Sequence, residues 1–154
     1  MAKRITDNTF ADKVFFCSSG TESIEGAIKI VRRYFHTIGK PEKNKILSMS
    51  GAFHGRTIAA LFLANNKSHM EGFGPSPEGF GQVPFGDHEA LKKAINKNTA
   101  AIICEPIQGE GGVKVVPDYC LKGLREICDE HGILLILDCV QTSFRTCLLY
   151  TSPS

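Results

Sequence analysis

Short, largely apolar segments alternate with amphipathic ones along this chain of 154 residues, and that alternation limits the possible folds most narrowly. The apolar segments are "KILSM", "TAAIIC" and "ILLIL", at residues 45–49, 99–104 and 133–137. Runs of consecutive apolar residues are typical of strands that are buried on both faces of a parallel sheet. Because helix-forming segments lie between the strands, the pattern predicts an α/β fold with three layers, α-β-α, around a mostly parallel sheet.

The amphipathic segments predict four helices. The most regular one begins after Ser19, which has capping-box spacing to Glu22, and ends at Gly39. Its apolar face is expected to contain Ile24, Ala27, Ile28, Val31, Phe35 and Ile38. The other predicted elements are helices at 57–64, 87–96 and 118–131, a short strand at 14–16 and a long irregular segment at 65–86.

Composition excludes several classes of protein. Hydrophobic residues make up 42% of the chain and the formal net charge is +2, so nothing indicates disorder or a nucleic-acid partner. No apolar segment is long enough to cross a membrane, and the opening "MAKRITDNTFADK" lacks the apolar core of a signal peptide, so we expect a cytoplasmic protein. The six cysteines form no C-x-x-C pair and no histidine cluster has metal-ligand spacing; we therefore expect free thiols, with Cys120 and Cys128 in the core, and no metal site.

Polar or glycine-containing stretches follow the predicted strands, at residues 18–21, 53–57, 105–112 and 138–141. The carboxyl ends of parallel strands meet at one edge of a sheet, where ligands usually bind, so these stretches should converge there. The stretch Ser19, Gly20 and Thr21 opens a helix, and the free N–H groups at such an end favour a phosphate. A capped helix that binds nothing is the commoner alternative for this stretch taken alone.

Three further side chains at the same edge suit a planar, charged ligand. Asp138 ends a buried strand, where it could cap a loop or pair with a protonated heteroaromatic nitrogen through a bond that contributes about 1.5–3 kcal/mol. Phe53 could stack on a ring, and Arg56 could bind a carboxylate through two parallel hydrogen bonds. His54 is assigned a structural role only, and Glu105 and Glu110 are carboxylates expected near the same place.

As a set, the motifs resemble one known family. The stretches "SSGTE", "GAFHGRT", "GFGP", "VPFGD", "EPIQGEGG", "LREICDEHGILLILD" and "VQT" occur in the order seen in the class III aminotransferases, which have fold type I and use pyridoxal 5'-phosphate (PLP). The resemblance covers residues 10–142, and the loops are most similar to those of the acetylornithine branch. It implies a homodimer that transfers the δ-amino group of N-acetylornithine to 2-oxoglutarate, in arginine biosynthesis.

The resemblance also implies roles for individual residues. Around the cofactor, Ser19, Gly20 and Thr21 would bind the phosphate, Phe53 and Val140 would lie on the two faces of the pyridine ring, Asp138 would pair with the ring nitrogen and Gln141 would reach the phenolic oxygen. Around the substrate, Arg56 would bind the α-carboxylate and Glu110 would help the site to switch between the two substrates.

The end of the chain departs from the family pattern. In the family, the lysine that holds PLP covalently lies roughly thirty residues after the position of Asp138, but here no lysine follows Lys122. Cys139 and Ser143 replace a glutamate and a glycine of the family's D-E-V-Q-T-G, and nothing after Thr146 corresponds.

These departures lead to expectations about domain organisation. Residues 1–142 should form part of the large, cofactor-binding domain, without the family's amino-terminal segment and carboxyl-terminal small domain. Residues 143–154 should be a non-native tail. Without the Schiff-base lysine, we expect the chain to be inactive by itself.

Other interpretations stay open at this point. Ornithine, succinylornithine, succinyldiaminopimelate and γ-aminobutyrate aminotransferases share these motifs. From other classes, the alternatives are a non-catalytic α/β module that binds PLP or another phosphate-bearing metabolite, and an α/β domain without a ligand. A nucleotide-binding P-loop and the dinucleotide-binding glycine pattern are both absent from the sequence, which argues against a Rossmann dehydrogenase.

Overall fold

A computed structural model describes residues 1–142. Its elements in chain order are α1 (Ala2–Thr6), α2 (Gly20–Thr37), β1 (Lys45–Met49), α3 (Ile58–Ala64), α4 (Lys67–Met70), β2 (Phe80–Val83), α5 (His88–Ala94), β3 (Thr99–Cys104), β4 (Ile107–Gln108), β5 (Lys114–Val115), α6 (Asp118–His131) and β6 (Leu134–Leu137). Four strands form the main sheet in the order β2-β1-β3-β6, and all three neighbouring pairs are parallel. The other two strands, β4 and β5, form a small antiparallel hairpin.

The main sheet has a core on each face. Successive side chains of a strand point to opposite faces, so Ile46 packs on the side of α2 and α3, whereas its neighbour Leu47 packs on the side of α5 and α6. In β3, Ile103 likewise packs on the side of α2 and α3, and Ile102 packs on the side of α5 and α6. The predicted three-layer α-β-α architecture with a parallel sheet is therefore confirmed.

Helix α2 begins after Ser19, as the capping-box spacing of Ser19 and Glu22 predicts. The Ser19 hydroxyl oxygen accepts the Glu22 N–H at 3.2 Å, while the Glu22 carboxylate accepts the Ser18 N–H. The buried residues of the helix are Ile24, Ile28, Val31 and Phe35, all of them predicted. Ile38 is an exception, with 46% of its surface exposed, because the helix ends at Thr37 and the chain then leaves the helical path.

The predicted strand at residues 14–16 is wrong. The segment is irregular, and Phe15 and Phe16 are 76% and 55% exposed. Three apolar residues are too few to form a strand without a partner, and within residues 1–142 no strand pairs with them.

The predicted irregular segment at 65–86 is also wrong in part, because it contains α4 and the edge strand β2. β2 reads "FGQV" and buries only Val83 fully, so its apolar signal is weak. Gly81 leaves the space that the side chains of Lys45 and Leu47 fill: a Cβ there would lie 2.8 Å from Lys45 Cε and 2.9 Å from Leu47 Cδ2.

The described cysteines, which are Cys17, Cys104, Cys120, Cys128 and Cys139, are free thiols. Cys120 and Cys128 are buried on the inner face of α6, as predicted. Burial raises the pKa of Cys104 to about 12 and that of Cys128 to about 11, so both thiols stay protonated at neutral pH. Cys147 and the predicted tail at 143–154 lie outside the described residues. Among the helices of residues 1–142, none combines the length and the apolar character that crossing a bilayer requires.

Candidate cofactor-binding site

A cleft of ≈ 290 Å³ opens at the carboxyl edge of the main sheet. Three stretches that are far apart in the sequence form its walls: the start of α2, the loop after β1 and the segment after β6. The lining residues are Gly20, Thr21, Ile24, Phe53, His54, Gly55, Arg56, Asp138, Val140 and Gln141. The parallel topology brings the stretches after β1 and β6 together, and the start of α2 adds a third stretch of the four. The cleft is large enough for part of a small ligand.

Ser19 and Glu110 are the predicted site residues that do not line the cleft. The Ser19 hydroxyl oxygen is used in capping α2. Glu110 is exposed, in the turn between β4 and β5. Both lie on stretches that lead to the sheet edge, but neither contributes to the wall of the cleft.

The start of α2 presents free donors to the cleft. Within residues 1–142, the backbone N–H groups of Gly20 and Thr21 have no hydrogen-bond acceptor, whereas the Glu22 N–H donates to the Ser19 hydroxyl oxygen. The helix has 18 residues, and the aligned peptide dipoles place partial positive charge at this end. This wall of the cleft therefore suits an anionic group.

Asp138 is held deep in the cleft by three contacts. Its backbone N–H donates to the Cys104 carbonyl oxygen at 2.8 Å, which continues the pairing of β6 with β3. One carboxylate oxygen, Oδ1, accepts the Val140 N–H at 3.1 Å; the other, Oδ2, lies 2.8 Å from Nδ1 of His54. Each carboxylate oxygen has two lone pairs, so Asp138 can still accept a hydrogen bond from a ligand.

His54, to which the sequence assigns a structural role, lines the cleft and pairs with Asp138, a contact that the sequence did not predict. The imidazole is buried, and its Nδ1–H donates to the carboxylate, since a carboxylate can only accept. Nε2 is buried and has no hydrogen-bond partner among the described residues. A sequence signal did exist: a carboxylate at the mouth of a buried strand needs a partner, and His54 lies in a loop expected at the same edge.

The loop after β1 places an aromatic ring beside a cation. The guanidinium carbon of Arg56 lies 5.5 Å from the centre of the Phe53 ring, which is within the range of a cation–π interaction. In the same cleft, Val140 packs tightly on the start of α2: a Cβ at Gly20 would lie 2.5 Å from Val140 Cγ1. The absence of a side chain at Gly20 is therefore required for Val140 to occupy its position.

Glu105 is a second residue whose contact the sequence did not predict. Its carboxylate is almost fully buried and accepts the Phe53 N–H at 2.9 Å. Burial raises the pKa of Glu105, and the nearby carboxylates of Asp138 and Glu110 act in the same direction. The hydrogen bond from Phe53 and the neighbouring His54 partly offset that rise.

Comparison with solved structures shows which class of protein has this fold. An ornithine aminotransferase from Toxoplasma gondii, crystallised with oxidised glutathione and described as having PLP at partial occupancy in its active site, matches with a TM-score of 0.87. The two chains are 33% identical, and the match covers 92% of this chain and 34% of the other. The fold is that of the fold-type-I PLP-dependent transaminases.

The sequence comparisons agree. The family model "Aminotransferase class-III" matches residues 1–151, and the chain belongs to that family. It is 56% identical to the acetylornithine aminotransferase of Agrobacterium fabrum and 53% identical to that of Brucella melitensis, over 142 residues in each case. The matches cover 92% of this chain but only 36% and 35% of those proteins, so the chain spans about a third of their length.

Proposed function

We propose that residues 1–142 are part of the large domain of a PLP-dependent aminotransferase. We further propose that the whole protein transfers the δ-amino group of N-acetylornithine to 2-oxoglutarate as a cytoplasmic homodimer. The observation that supports the cofactor is the cleft, in which free N–H groups at a helix start, a phenyl ring and a buried carboxylate face one space. The amino donor is inferred from the relatives: identity is 56% to an acetylornithine aminotransferase and 33% to an ornithine aminotransferase.

The residues of the cleft suit the chemical groups of PLP. The uncapped N–H groups of Gly20 and Thr21 suit its phosphate. The free lone pair of Asp138 suits the protonated ring nitrogen, and an aspartate in this position keeps that nitrogen protonated. When bound, PLP supplies an electron sink for the substrate's α- or ω-carbon.

The remaining residues would orient the cofactor and the substrate. Phe53 and Val140 would pack on the two faces of the ring, and Gln141 would donate to its phenolic oxygen. Arg56, which is exposed at the rim, would bind a substrate carboxylate through its planar guanidinium. Glu110 would act at the second substrate only if the turn between β4 and β5 moves towards the cleft.

The function is tested by assaying this chain and the complete protein in parallel, with N-acetylornithine and 2-oxoglutarate. We expect the complete protein to form glutamate and to use ornithine and γ-aminobutyrate at least about tenfold less efficiently. The 154-residue chain should bind PLP but give no turnover, because none of the residues between 1 and 142 that line its cleft is a lysine. After borohydride treatment, mass spectrometry should show a stoichiometric PLP adduct on the complete protein only.

Glutamate formation by the 154-residue chain would contradict the expected inactivity. Preference of the complete protein for ornithine or γ-aminobutyrate would overturn the proposed donor. Failure of both proteins to bind PLP would overturn the proposed cofactor.

The tight contact between Gly20 and Val140 leads to a second prediction. In Gly20→Ala, the new methyl group must displace the γ-methyl groups of Val140, which is stiff at χ1, into the space assigned to the ring. We expect PLP binding, followed by fluorescence titration, to weaken by about tenfold or more, since overpacking typically costs about 1–3 kcal/mol.

Gly26→Ala is the matched control, because it lies in the same helix and its Cβ would meet nothing within 4 Å. This variant should bind PLP as the parent chain does and should be more stable by about 0.5–1 kcal/mol, since alanine favours a helix interior. Equal PLP affinity in the two variants would show that Val140 does not border the bound ring.

A further inference from the structure

We propose that Glu105 is a positioning residue of this site: its buried carboxylate fixes the backbone of Phe53 and thereby the ring that forms one wall of the cleft. The nature of the ligand rests on the proposed function, but the contact between Glu105 and Phe53 does not. Glu105 itself does not line the cleft and acts only through Phe53.

The position of Glu105 in the sheet makes the contact possible. Glu105 directly follows β3, which lies between β1 and β6 in the strand order. The side chain is therefore placed between the loop after β1 and the segment after β6. It joins residues 52 positions apart through the 2.9 Å bond from the Phe53 N–H to Oε2.

Burial of this carboxylate needs a compensating contact. Glu105 is only 3% exposed, and a charge removed from water destabilises a fold unless it is hydrogen-bonded. The bond from Phe53 is the one hydrogen bond that its side chain makes within residues 1–142. A side chain that only filled space at this point would be apolar, so the contact with Phe53 is the feature that accounts for a carboxylate here.

Two further contacts hold the same loop. Asp138, after β6, pairs with His54, so two consecutive loop residues are each bonded to a carboxylate that follows another strand of the sheet. Earlier in the loop, the Gln108 amide donates to the Ser50 carbonyl oxygen at 3.1 Å. Such support orders the wall of the cleft before a ligand arrives, which lowers the entropic cost of binding.

The test compares Glu105→Leu, which removes the acceptor but suits a buried position, with Glu105→Gln, which keeps an acceptor oxygen. Amide hydrogen exchange is measured by NMR on the 154-residue chain without PLP. In Glu105→Leu the Phe53 amide should exchange at least about tenfold faster, because it loses its only partner. In Glu105→Gln it should stay protected, and in both variants the Ser50 amide, bonded to the Val83 carbonyl oxygen, should be unchanged.

A titration with PLP provides the second measurement. Glu105→Leu should bind PLP about tenfold more weakly than Glu105→Gln. An unchanged Phe53 amide in Glu105→Leu would overturn the proposal. Should that variant not fold, Glu105→Asp takes its place, since it keeps the charge but is one methylene too short, and it should expose the same amide. Absence of PLP binding in the parent chain would contradict the proposed function, while the exchange data would still decide the role of Glu105.

Discussion

Asp138→Ala is expected to weaken PLP binding by about 10- to 100-fold, because the protonated ring nitrogen loses a charged acceptor that contributes about 1.5–3 kcal/mol. The same change leaves the buried Nδ1–H of His54 without a partner. The free energy of unfolding should therefore fall by about 1–3 kcal/mol as well. Fluorescence titration with PLP and urea unfolding measure the two effects separately.

Two variants sharpen this test. Asp138→Asn keeps an acceptor oxygen but loses the charge, so it should keep most of the stability and still bind PLP less tightly than the parent chain. Asp129→Ala is the control for loss of an aspartate, since within residues 1–142 the Asp129 side chain makes no polar contact besides an exposed ion pair with Arg125. It should change stability by less than about 1 kcal/mol. If Asp138→Ala binds PLP as tightly as Asp129→Ala, the ring nitrogen does not lie at Asp138.

Phe35→Ala should destabilise the chain most. Phe35 is 1% exposed and packs between α2 and the sheet, and truncation of a buried phenylalanine costs about 3–5 kcal/mol. A domain of this size is stable by only about 5–15 kcal/mol, so a large part of the chain should unfold near physiological temperature. PLP binding should fall in parallel, because α2 carries the Gly20 and Thr21 N–H groups.

Ile30→Ala is the control for Phe35→Ala. Ile30 lies on the same helix but is 58% exposed, so its truncation should cost less than about 1 kcal/mol. Urea unfolding followed by circular dichroism gives both values. Similar midpoints for the two variants would mean that α2 does not pack on the sheet through Phe35.

The elements that the sequence predicted well are those with a strong local signal. α2 and α6 show apolar periodicity over several turns, and β1 and β3 are short, largely apolar segments. β2 was missed because an edge strand with a glycine and one fully buried side chain has little signal of its own. Residues 14–16 show the converse: a short apolar run does not become a strand without a partner.

The layer architecture, the edge of the sheet with the cleft and most of the residues that line the cleft could be predicted from the sequence. These follow from local chemistry and from the rule that the carboxyl ends of parallel strands lie at one edge. The contacts between residues that are distant in the sequence depend on the folded chain: His54 with Asp138, the Phe53 N–H with Glu105, and Val140 with Gly20. Each of these pairs joins separate elements, and the distance between its members depends on strand order and packing. Patterns of residues that are close in the sequence do not predict such distances.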